Sequence, residues 1–294
     1  MRSSGTMRVR TPAAVPAFLL ALACSGAPEA PAGDRIPVAV SVPPQAYFVD
    51  RIGGDRVVVE VLIPPGTSPH TFEPAPRQLM AFSRARLWVK VGHPDFPFEK
   101  KHLDANLDRD DRLEVVDMTA GVADHSETAH AESDPHVWLS PAAAALTARR
   151  IAQALARLDP AHAELFDANL AAFLADVETL DLELRTTFAG IARRGFVVQH
   201  PAWGYLAARY GLEQIAIESG GKEPGPAALV ALIERARQEG VRVVFVQQGI
   251  ADRTARTLAR EVGAEVAVVD PLAYDWIENL RGVGAAFRKA LEDR

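Results

Sequence analysis

Short apolar, β-branched runs alternate with longer stretches of helical period along most of this chain. Residues 37–42 (PVAVSV), 56–63 (RVVVEVLI) and 86–91 (RLWVKV) each have the length and composition of a buried strand. Between them, 45–52 and 76–83 read as helices, the first closed by Gly53-Gly54. Strand, helix and strand with short connections imply parallel pairing, with helices on both faces of the sheet. A helix near 99–106 and a strand at 113–116 follow. From 142 to 158 an Ala-rich helix carries Ile151, Leu155 and Leu158 on one stripe, and Asp159-Pro160 breaks it. From 161 to about 189 the helical period continues without Gly or Pro through Leu165, Phe166, Leu170, Phe173, Leu174, Val177, Leu180, Leu184 and Phe188. Roughly 29 residues at about 1.5 Å each make a rod of about 43 Å, longer than one small domain is wide. A second set of strands (195–199, 212–217, 241–246, 264–269) and helices (205–210, 227–239, 252–262, 276–292) completes the pattern. The expected architecture is α/β: two similar lobes with parallel sheets, 36–160 and 191–294, joined by one long helix over 161–190.

The N-terminus follows a different rule. Arg2, Arg8 and Arg10 precede an apolar run at 13–23 that ends in small residues, which makes 1–23 a secretory signal too short to span a bilayer. Met7 offers a second start that leaves a tidier signal. Residues 24–35 are rich in Ala, Pro and Gly and read as a linker. The single cysteine, Cys24, stands directly after Ala21-Leu22-Ala23, where a bacterial lipoprotein carries its lipid, although Ala21 replaces the usual Leu. The exported domain therefore has no disulfide and depends on its core, for which 294 residues are ample. A net charge of −6 excludes nucleic acid as a partner, because phosphate binding needs a basic face.

Four residues stand in comparable places: His70, His136, His200 and Asp270. His70, His200 and Asp270 follow the carboxyl ends of expected strands, where open parallel sheets bind ligands, and His136 sits in a loop before a helix. Prolines on both sides of Asp134-Pro135-His136-Val137-Trp138-Leu139-Ser140-Pro141 fix the backbone that presents its imidazole. Three imidazoles and a carboxylate form a four-coordinate set suited to Zn2+, with two ligands from each lobe and the metal between them. Separations of 66, 64 and 70 residues (136 − 70, 200 − 136, 270 − 200) rule out a local motif such as a zinc finger.

Pro64-Pro65-Gly66-Thr67-Ser68-Pro69-His70-Thr71-Phe72-Glu73-Pro74, the Asp134–Pro141 stretch, the His200 loop with Tyr205 and Tyr210-Gly211-Leu212, and Asp270-Pro271-Leu272 together resemble the cluster A-I metal-binding proteins. These are the ZnuA/TroA-like solute-binding components of ABC importers for zinc and manganese. The resemblance runs from about residue 36 to the end. It implies two Rossmann-like lobes joined by a long rigid helix, with a metal held between them by His70, His136, His200 and Asp270. It also implies a monomer on the periplasmic or cell-surface side, delivering its cargo to a membrane permease and its ATPase. The membrane is then reached only through the permease or a lipid on Cys24. His200 stands where many manganese binders have Glu, and nitrogen-rich sites suit Zn2+ better than Mn2+, so zinc is the expected cargo and a manganese-specific protein the alternative.

The loop 124–132 crowds Asp124, His125, Glu127, His130 and Glu132 into nine residues and resembles the charged loop of zinc-specific members. His125 and His130 would make it a low-affinity collector of zinc; otherwise it is simply a solvated, mobile surface loop. His93 also follows a strand end, where the family pattern lacks histidine. It reads either as a neighbour or alternative ligand of the site or as a surface histidine. No role falls to His102 or His162, and Gln247 and Gln248 stand at a strand end where relatives often carry an acid. A secreted zinc hydrolase is the rival from another class, but the chain has no H-E-x-x-H, and four protein ligands leave no open metal position for a nucleophilic water. A surface adhesin would coexist with metal binding.

Overall fold

The apolar run that begins at Ile36 forms β1 (Ile36–Val40), buried along nearly its whole length. It pairs in parallel with β2 (Val57–Val61) on one side and β3 (Leu87–Lys90) on the other, and β3 pairs with β4 (Glu114–Asp117), giving the order β2-β1-β3-β4. The edge strands expose Val58 and Val115, whereas β3 buries Leu87, Trp88 and Val89, as expected for an inner strand covered on both faces. The crossovers carry α1 (Pro43–Gly53), α2 (Pro76–Phe82) and α3 (Pro97–His102), each begun by a proline whose missing N–H costs nothing in the first turn. The computed structural model describes Met1 and residues 35–69, 71–94, 96–104, 112–122, 134–219, 221–247 and 252–292. The signal segment after Met1, Cys24 and the linker up to residue 34, His70, the 124–132 loop with His125 and His130, and Gln248 lie outside the described residues.

Two helices link the sheets. α4 (Pro141–Leu158) is capped by Ser140, whose hydroxyl accepts the Ala143 N–H at 3.3 Å, and it buries Ala144, Ala148, Ile151 and Leu155. α5 (Ala163–Phe188) runs 26 residues, or about 39 Å. It starts two residues later than the periodicity predicts because Pro160–His162 forms a separate 3-10 turn, tied down where Asp159 accepts from Arg56 and pairs with His162. Its buried stripe, Phe166, Phe173, Val177, Leu180, Leu184 and Phe188, packs on α1 and α4.

The second sheet repeats the first. β5 (Gly195–Val198), β6 (Glu213–Ala216), β7 (Val243–Val246) and β8 (Glu265–Val268) are all parallel in the order β6-β5-β7-β8, with α6 (Gly204–Arg209), α7 (Pro226–Gln238) and α8 (Arg253–Val262) as crossovers. The last helix, α9 (Trp276–Leu291), returns to pack on α5. One hydrophobic cluster runs from the first sheet through α4, α5 and α9 to Phe196 and Phe245 of the second, and a smaller one lies between that sheet and α7 and α8. Two α/β lobes joined by a long helix are thus present. Among the described residues no helix is long and apolar enough to cross a membrane.

Candidate metal centre

The Asp-Pro-His turn shapes the first half of the site. Asp134 Oδ1 accepts the backbone N–H of His136 at 2.9 Å, and the same oxygen lies 2.7 Å from Nδ1 of the His136 ring. A short polar side chain bonding the backbone two residues on is a self-contained turn; here it also clamps the imidazole. Val137–Leu139 then forms one 3-10 turn leading into α4. The Trp138 indole N–H donates to the Pro271 carbonyl at 2.7 Å, and the Trp276 indole donates to the Trp138 carbonyl at 2.7 Å. The His136 loop is therefore fastened to the Asp270 loop of the second lobe.

His200 comes from the other lobe, directly after β5. Its Nδ1 lies 3.2 Å from Glu218 Oε2, just past β6, and Glu218 Oε1 accepts from the Gln199 amide at 3.2 Å. The Nε2 atoms of His136 and His200 face each other at 3.2 Å. An ionised carboxylate can only accept, so Asp134 and Glu218 each hold a proton on the neighbouring Nδ1 and leave the Nε2 lone pair outward. Two lone pairs aimed at one point repel unless a proton or a metal ion lies between them. A tetrahedral zinc with bonds of about 2.05 Å sets adjacent nitrogens about 3.3 Å apart, which this pair matches.

Burial is the main electrostatic influence on His136. The residue is 6 % exposed, and desolvation holds its ring below the usual imidazole pKa. Asp134 opposes this shift, while the charges of His200 and His93 add to it. Its neutral form, the one that binds metal, is thereby favoured. Burial also pushes the phenol of Tyr205 up to about 12, with the charge of Asp134 adding to the effect. Next to it Gly204 leaves room for Asp134: a Cβ there would stand 2.4 Å from Asp134 Oδ2.

Asp270 follows β8 and repeats the Asp-Pro turn, Oδ1 accepting the Leu272 N–H at 2.8 Å while its carbonyl accepts from the Asn279 amide at 2.7 Å. His93 follows β3 and is buried rather than on the surface. His102 pairs with Glu73 and His162 with Asp159. Among the described residues the direct meeting is that of His136 with His200, and no group of three or more His, Cys, Asp or Glu is gathered tightly enough to hold an ion. Sequence reasoning missed the roles of Asp134, Glu218 and Gly204. The spacing of Asp134 from His136 carries a signal, an acid two residues ahead of a histidine across a proline. Glu218 and Gly204 carry none, because their partners lie 18 and 70 residues away.

The family described as zinc-uptake complex component A, periplasmic (ZnuA), matches residues 38–290. The high-affinity zinc uptake system protein ZnuA of Bacillus subtilis (strain 168) is 31% identical over 278 residues, spanning 87% of this chain and 85% of that protein. A putative metal-binding protein of Treponema pallidum (strain Nichols) is 32% identical over 250 residues, 80% of this chain and 79% of its own length. Among solved structures, a crystal structure of ZnuA is similar with a TM-score of 0.82 and 39% identity, covering 88% of this chain and all of that one (100%). A zinc-bound deletion mutant of ZnuA gives a TM-score of 0.81 at 38% identity, covering 89% of this chain and 100% of its own.

Proposed function

The chain belongs to the ZnuA family of periplasmic zinc-uptake components, and on that basis we propose that it captures Zn2+ outside the cytoplasm and delivers it to an ABC importer. The ion is held between the lobes 36–160 and 191–294 by His70, His136, His200 and Asp270. The observation that carries this reading is the facing pair of Nε2 atoms at 3.2 Å, each ring backed by its own carboxylate.

Capture follows from that pair. An arriving aquated ion exchanges waters for two neutral imidazoles, one from each lobe, while Asp134 and Glu218 offset the charge through the rings. Binding bridges the lobes, so drawing them apart separates His136 from His200 and weakens the hold. A permease that engages both lobes would release the ion in this way, with its ATPase supplying the work. Four protein ligands leave no position for a reactive water, so the site carries and does not catalyse. The protein acts as an exported monomer, in the periplasm or at the cell surface.

Elemental analysis of protein purified without chelator tests this reading. One zinc per chain, with little manganese, is expected, and His136→Ala should come off the column almost metal-free. Zinc at the same level in that variant would place the cargo elsewhere.

A further inference from the structure

Asp134 divides its two oxygens between the lobes. Oδ1 holds both the backbone N–H and Nδ1 of His136, at 2.9 and 2.7 Å. Oδ2 lies against the start of α6 in the second lobe, where a Cβ on Gly204 would stand 2.4 Å from it, well inside van der Waals contact. The backbone makes no demand for glycine there. Gly204 is not among the glycines of positive φ, and it opens a helix, for which Ala is the better former. What the position supplies is empty space.

If a methyl group filled that space, either α6 or the carboxylate would have to give way. α6 is braced at both ends. Ahead of it, Trp203 is 2 % exposed, donates its N–H to Gln214 Oε1 at 2.7 Å and meets the Phe287 ring edge-on, with centroids 5.6 Å apart. At its far end Arg209 holds Asp181 of α5 through Nε and Nη2, at 2.6 and 2.7 Å, and the Tyr210 hydroxyl donates to the same carboxylate at 2.8 Å. Two parallel charge-assisted hydrogen bonds fix geometry as well as adding strength. Moving α6 disturbs all of these contacts, whereas turning the Asp134 side chain breaks its two bonds to His136. The carboxylate is the side that yields.

We propose that Gly204 is a positioning residue for His136, a gap in the second lobe that lets Asp134 of the first keep its grip on the ring. The proposal rests on the metal-capture reading above. It makes the orientation of one ligand depend on the opposite lobe, and it gives Tyr210 a part in the site through the brace on α5.

Zinc affinity, read by competition with a coloured chelator, tests it in a double-mutant cycle on the intact protein. Gly204→Ala should bind zinc about tenfold or more weakly than wild type, on the scale seen when a metal ligand loses its outer partner. In an Asp134→Ala background, where no carboxylate remains to collide, the same substitution should change affinity by less than about twofold. An equal loss in both backgrounds, or none in either, overturns the proposal. Should Gly204→Ala fail to fold, the double variant decides: its folding supports the collision and its failure overturns it. Ring-nitrogen NMR of the metal-free protein, with the His136 signals assigned by their loss in His136→Gln, separates the proposal from the capture reading. Wild type should carry the His136 proton on Nδ1, and Gly204→Ala should share it between the two nitrogens; an unchanged ring overturns the proposal whether or not zinc binds. If the wild-type protein takes up no zinc, the capture reading falls and the ring spectrum alone decides the role of Gly204.

Discussion

At the scale of single residues, two carboxylates stand behind the two facing rings. Asp134 and Glu218 fix the tautomers of His136 and His200 and turn both Nε2 atoms toward one point. Asp134→Asn and Glu218→Gln keep an acceptor in place but remove the charge. Each should weaken zinc binding about 10- to 100-fold, as read by competition with a coloured chelator; unchanged affinity in both would mean that the carboxylates only fill space. The acid response follows from His136. Its pKa in the folded chain lies below the ordinary value of about 6.5, with burial as the main cause. Above that value the ring is neutral in both folded and unfolded chains and stability does not depend on it. Below it, the unfolded chain takes up a proton that the folded one resists, so stability falls as pH falls toward the folded pKa. The metal-free protein should therefore melt at lower temperature as the pH drops from 7 to 5, and His136→Gln should show a shallower loss. Equal slopes would remove His136 from the explanation.

At the scale of elements, α5 is the piece on which the arrangement of the lobes depends. Phe173 projects from it against Phe48, with centroids 5.7 Å apart, and against Tyr47 at 6.3 Å, tying the helix to α1. Phe173→Ala should cost about 3–5 kcal/mol in urea unfolding, with the slope unchanged; a loss below 1 kcal/mol would show that the contact is not structural. Most elements were legible in the chain. The inner strands β1 and β3 are covered on both faces and so read as unbroken apolar runs, and Gly or Pro marks most of the turns between elements. The start of α5 was less legible, because Pro160 fits the first turn of a 3-10 helix as well as it breaks α4. The order of strands within each sheet, with the first strand second in line, has no sequence signature. Of the two facing rings, His200 was legible as a histidine past a strand end and His136 as one held between prolines before a helix. The site was not legible as geometry, because the contacts that aim it join distant segments: Trp138 to Pro271, and Gly204 beneath Asp134.

At the scale of the whole molecule, the two sheets are parts of one body. A single apolar cluster passes through α4, α5 and α9, and the two indole hydrogen bonds cross between the lobes beside the site. Such a body brings one imidazole from each lobe to a common point while leaving the rings on loops of separate lobes. The central claim is that zinc sits at that point. Anomalous diffraction at the zinc edge, from crystals grown with one equivalent of zinc, measures it directly. The account predicts one strong peak per chain, about 2.0–2.1 Å from the Nε2 atoms of both His136 and His200. A peak bound elsewhere, with those two nitrogens still facing each other across an empty gap, would contradict it.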